Sequence, residues 1–117
     1  MTKNIFTYTG DFLFKSIDFS PGKITSNNLD FNPLLPLNDT NYYLTEDMMQ
    51  VVYDKNITLD VSWFRSIKKF VVVIVQGDEP EIWMNPLFEK RCKNLKELEA
   101  TLIEYTEIIR NMLAKVK

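Results

Sequence analysis

The chain has 117 residues, 45% of them hydrophobic and 26% charged, with only three glycines, which excludes a disordered or low-complexity protein. Its formal net charge of −2 supplies no overall drive toward nucleic acid or a membrane surface. Histidine is absent and Cys92 is the only cysteine, so an intrachain disulfide, a Cys/His zinc site and histidine-based catalysis are all excluded.

Ile5 to Phe14 mixes β-branched and aromatic residues around Gly10-Asp11, the pattern of a strand, a tight turn and a second short strand. Pro21-Gly22 marks a further turn. From Asn27 to Asn41 the chain is rich in Asn, Asp, Leu and Pro, and we expect a long ordered loop whose apolar members cover part of the core. Thr45 followed by Glu46 and Asp47 resembles a helix start, with a capping hydroxyl and two acids where the helix dipole favours them. Tyr42-Tyr43 and Val51-Val52-Tyr53 instead favour strand, so this element is open between the two.

Ile57, Leu59, Val61 and Trp63 alternate with Thr58, Asp60, Ser62 and Phe64, the period-2 signature of a strand with one buried face. Trp63 and Phe64 cannot both point inward, which leaves one of them under the proline-rich loop or free as an interface anchor. Arg65 to Lys69 connects to Phe70–Val75, apolar on both faces and therefore expected to be a central strand. Gln76 to Pro80 is a turn. Glu81 to Met84 resumes a strand pattern, Asn85-Pro86 interrupts it at an edge or bulge, and Leu87 to Arg91 continues it.

Asn94 with Glu97 three residues on forms a capping box. Leu95, Leu98, Leu102, Tyr105, Ile109, Met112 and Val116 then recur at spacings of three and four, opposite Lys93, Lys96, Glu99, Glu104, Glu107 and Arg110. The spacing predicts an amphipathic helix from Leu95 to Leu113 that packs on the sheet. The expected fold is therefore one α+β domain over residues 1–117, an antiparallel β-sheet packed against a long C-terminal amphipathic helix.

The residues offer little chemistry. No Gly-rich phosphate cradle occurs, and the Asp78-Glu79-Glu81 cluster lacks the oxygen spacing of a calcium loop, so we expect no cofactor, no metal and no enzymatic activity. Cys92 is read as a small residue at the end of a strand. Two basic groups, Arg65/Lys68/Lys69 and Lys90/Arg91/Lys93/Lys96, adjoin aromatics, but acids stand beside both in sequence, and direct nucleic-acid binding is not expected. The longest purely apolar run, Phe70 to Val75, is far short of the roughly 20 residues that span a bilayer, so a cytoplasmic protein without membrane attachment is expected. Residues 1–58 carry seven acids against four lysines, whereas residues 59–117 carry nine acids against ten basic residues.

Ile57-Thr-Leu-Asp-Val-Ser-Trp-Phe64, the strand Phe70–Val75, and Trp83-Met-Asn-Pro-Leu-Phe-Glu-Lys-Arg-Cys-Lys-Asn-Leu95 resemble small immunity proteins that accompany bacterial polymorphic toxins, including those of contact-dependent growth inhibition systems. The likeness covers about the second half of the chain. It implies a cytoplasmic inhibitor that binds one cognate toxin domain, a nuclease being one class that acids would suit, with no catalytic residues. Asp39, Glu46 and Asp47 are the first candidate contacts, and Asp78, Glu79 and Glu81 the second. A small oligomeric structural or regulatory module without catalytic activity is the alternative.

Overall fold

The computed structural model describes residues 17–27 and 48–115. Among the described residues five strands form one antiparallel sheet in chain order: β1 (Lys23–Asn27), β2 (Met49–Tyr53), β3 (Ile57–Phe64), β4 (Lys69–Gln76) and β5 (Phe88–Cys92). A helix, α1 (Leu95–Ala114), lies across β3, β4 and β5. The α+β arrangement expected from the residue pattern is the one observed.

Alternation decides the faces. Ile57, Leu59, Val61 and Trp63 of β3 are buried toward α1, with Val51 and Tyr53 of β2 and Phe70, Val72 and Ile74 of β4. From the helix, Leu98, Leu102, Tyr105 and Ile109 close this core. Trp63 and Phe70 are directly opposed across β3 and β4, and their rings meet edge-on at 4.9 Å, a geometry that adds to burial.

The helix begins as expected. Asn94 accepts from the Glu97 backbone N–H at 2.8 Å, while the Glu97 carboxylate accepts from the Lys93 N–H at 3.0 Å, one residue earlier than the standard box. At the other end Lys55 donates to the Leu113 carbonyl at 3.1 Å, a cation against the negative helix terminus. The two buried threonines are satisfied within the layer, Thr106 by the Leu102 carbonyl at 2.7 Å and Thr101 by the Cys92 sulfur at 3.3 Å.

Two local expectations change, and one element left open between helix and strand is decided as strand. Met48 to Gln50 are not helical, because β2 is interior to the sheet and uses Met49, Val51 and Tyr53 alternately as core. The rest of that proposed helix start lies outside the described residues, as do the Ile5–Phe14 strands, the loop beyond Asn27 and Val116. Glu81 to Met84 do not resume a strand. Pro80 starts a 3-10 turn, Pro80–Trp83, with its fixed φ and missing N–H suited to a first helical position, and Ile82, Met84 and Asn85 bond three residues back. Strand pairing restarts only at Phe88, after Leu87 donates to Ile74, and among the described residues β5 lies at the sheet edge, one of the two outcomes expected at Pro86. Finally β4 is interior but not central, since β3 holds the middle position, and Lys23–Asn27, left without an element by the sequence pattern, forms β1.

Candidate functional site

The two faces of the sheet are treated differently. On the face away from α1, strand register places Ser26, Gln50, Asp60, Val73 and Glu89 in one row across all five strands. Ser62, Val71 and Arg91 form the next row, and Phe64 opposite Lys69 the one beyond. The alternation that buried Trp63 therefore turned Phe64 to this face, which is open among the described residues and where Phe64 is 43% exposed against 2% for Trp63.

A groove of about 350 Å³ is sunk into this face. Val71 and Val73 form its floor, and Phe64, Ile67 and Trp83, all exposed, its apolar rim. The 3-10 turn is what puts Trp83 there: it carries the indole over the sheet. Asp60, Glu89 and Arg91 supply charge. Asp60 also lines a second hollow of about 240 Å³ with Ser26 and Gln50, so it stands where the two concavities join.

Asp60 is held in place by its neighbours. Ser62 donates to one carboxylate oxygen at 2.9 Å and Gln50 to the other at 3.3 Å. Glu89 approaches Arg91 at 3.7 Å on the exposed edge strand. Asp60 belongs to the outward-facing set of β3, with Thr58, Ser62 and Phe64.

The sequence candidates divide. Asp39, Glu46 and Asp47 lie outside the described residues. Asp78 and Glu79 follow β4, and Glu81 sits on the 3-10 turn two residues before Trp83; all three are exposed, and Asn56 donates to Asp78 at 3.5 Å. The topology brings them together with Asp54 at one end of the sheet, where Gly77 bonds to Asn56. The two basic groups converge on the opposite end, since Val71 pairs with Arg91 and the β3–β4 turn carries Arg65 and Lys68. The acids that adjoin those bases in sequence are thus separated from them in space, apart from Glu89 and the acids of the first helical turns.

No protein-family model, curated protein or solved structure matches the chain.

Among the described residues no three His, Cys, Asp or Glu side chains converge as metal ligands, and no helix is long and apolar enough to cross a membrane. Cys92 is fully buried beside Thr101, and burial pushes its thiol above the usual range, the reverse of an activated nucleophile. Sequence reasoning found Asp60 and the Trp63/Phe64 choice separately but did not join them to Trp83 and Glu89. The parity of Asp60, Ser62 and Phe64 on one strand was the available signal. Trp83 was hidden by a strand pattern that the turn replaced.

Proposed function

We propose that this protein is a protein-binding inhibitor that neutralises a cognate bacterial toxin domain in the cytoplasm, seating it on the open face of the sheet. The observation that carries this reading is the exposed apolar rim of Phe64, Ile67 and Trp83 around a concave, partly charged floor, on a sheet whose other face is already covered by α1. Aromatic anchors beside a pocket, surrounded by polar groups, are where binding energy concentrates in protein interfaces. The absence of histidine supports binding over catalysis. The acidic end formed by Asp54, Asp78, Glu79 and Glu81 suits a toxin with a basic cleft, as a nuclease has, by steering the encounter.

The test is co-expression with candidate toxin domains, beginning with any that is encoded beside this gene. A stable one-to-one complex is expected, with toxin activity falling linearly until the sites are filled. A chain that leaves the toxin active and forms a tight symmetric oligomer through the open face would instead be an oligomeric structural or regulatory module.

A further inference from the structure

We propose that the outer edge of β5 pairs with the same edge of a second copy of this chain, joining two sheets around a two-fold axis at Lys90. The proposal is independent of the inhibitor reading, because edge pairing leaves the face that bears the groove uncovered by the second copy. Ladder geometry sets the direction of each residue's backbone bonds. Gly77 donates to Asn56 across the β3–β4 pair at 2.9 Å, so Val75, Val73, Val71 and Lys69 turn their bonding groups to β3. Phe70, Val72 and Ile74 turn theirs to β5, where they face Cys92, Lys90 and Phe88. Glu89 and Arg91 are left with N–H and C=O directed away from the sheet, and among the described residues no strand lies beyond them. Phe88, Glu89, Lys90 and Arg91 are all exposed.

Charge complementarity within the strand selects both occupant and register. An antiparallel pair of identical strands that keeps its faces aligned must be centred on a residue, here Glu89, Lys90 or Arg91. Centring on Glu89 needs the Leu87 N–H, which already donates to Ile74, and sets glutamate opposite glutamate. Centring on Arg91 needs the Lys93 N–H, which already donates to Glu97, and sets arginine opposite arginine. Only Lys90 as the centre uses the outward groups alone. It sets Glu89 opposite the second copy's Arg91 and Arg91 opposite its Glu89, each pair exchanging both backbone bonds. Glu89 and Arg91 of one strand already approach at 3.7 Å, so the four charges alternate in sign around the axis. This match lies within one strand and does not depend on charge elsewhere in the chain. On the α1 side Phe88, 40% exposed beside Tyr105, meets the second copy's Cys92. Lys90 meets its own copy at the axis, a like-charge contact that weakens the pair, although exposed stems let the two heads diverge.

The test is sedimentation velocity of the full chain over a wide range of concentration, where a reversible dimer is expected. Glu89→Arg turns attraction into repulsion in both cross-strand pairs and should weaken the dimer about tenfold, and Arg91→Glu should do the same. The double exchange Glu89→Arg/Arg91→Glu rebuilds the alternation with its signs reversed and should restore the dimer. Misfolding or a general change of surface charge would not produce that rescue. Lys90→Thr removes the like pair at the axis and should tighten the dimer several-fold. Asp78→Asn, beyond the far end of β4, should leave it unchanged. A chain that stays monomeric at every concentration overturns the proposal. So does a double exchange no stronger than either single one. A dimer lost in Phe64→Ser but kept in Glu89→Arg would put the contact on the face of the sheet and overturn the edge assignment.

Discussion

Arg110 reaches from the helix to the backbone of Ser20, ninety residues earlier, donating from Nε to its carbonyl at 2.8 Å. The same guanidinium donates to the Asp18 carbonyl and stands 3.7 Å from the Asp18 carboxylate and 3.3 Å from Glu107. Asp18 in turn accepts from the Ser20 backbone N–H, and this bond, with Arg110 adding to it, holds its carboxyl below the usual range. One side chain on the polar side of α1 thus fastens the turn that precedes β1.

Arg110→Met should detach that turn while keeping most of the apolar stem. Hydrogen bonds to a charged donor contribute about 1.5–3 kcal/mol when shielded, and partial exposure here reduces the expected loss to about 1–2 kcal/mol. Urea unfolding measures the loss, and hydrogen exchange at the Gly22 N–H, which bonds to Phe19, reports whether the turn has loosened. Unchanged exchange would show that Arg110 is not the fastening.

Gly22 is required by space. A Cβ there would lie 2.5 Å from the Tyr53 ring and 2.6 Å from a Val51 methyl, both of them buried core groups on β2. Gly22→Ala should therefore destabilise the fold by about 1–3 kcal/mol, the usual range for forcing a methyl into a filled core. A neutral or stabilising result in the same urea assay would mean that β2 can yield.

Stability should fall at alkaline pH. Burial pushes the Tyr105 phenol up to about 12 from its ordinary 10.0, with Glu104 adding to the effect, and burial raises Tyr53 and Cys92 as well. A group that holds its proton more tightly when folded contributes its full stabilisation below its unfolded pKa and loses it as pH rises toward the folded value. The decline should thus begin as pH passes the ordinary thiol and phenol ranges and continue to about 12. Tyr105→Phe should flatten part of that slope in denaturant midpoints measured against pH. An identical slope would assign the loss to other groups.

Residue pattern disclosed the parts of this fold in which one period dominates. The capping box at Asn94 and the repeat through Leu98, Leu102 and Ile109 located α1 to within a residue, and the alternation from Ile57 to Trp63 located β3 and its buried face. It failed where two signals competed. At Glu81–Met84 the apolar alternation suggested a strand, but Pro80 and successive three-residue hydrogen bonds made a turn, and that turn carries Trp83 to the groove. At Lys23–Asn27 there is almost no apolar alternation to see, because β1 is an edge strand with a register shift between Ile24 and Ser26. The groove itself joins residues from β3, β4, β5 and two connections. No local window contains them together; only strand register does.

That register also bears on how a partner arrives. Asp78, Glu79 and Glu81 share one end of the sheet, away from the basic β3–β4 turn, so the described part of the molecule presents opposite charge at its two ends. Exposed charges of this kind act mainly on the encounter, and they are screened beyond a Debye length of about 8 Å at physiological ionic strength. If the toxin proposed above offers a basic cleft, Asp78→Lys/Glu79→Lys should slow association several-fold at low salt and much less at high salt, with dissociation nearly unchanged. Asp60→Asn should do the reverse, since a carboxylate held inside the groove acts once the partner is seated. Stopped-flow mixing at two salt concentrations separates the two, with Lys96→Ala on the exposed helix surface as a control. An on-rate indifferent to the Asp78/Glu79 reversal at low salt would mean that the acidic end does not face the partner. A slowed on-rate for Asp60→Asn, with dissociation unaltered, would move Asp60 from the seated contact to the steering field.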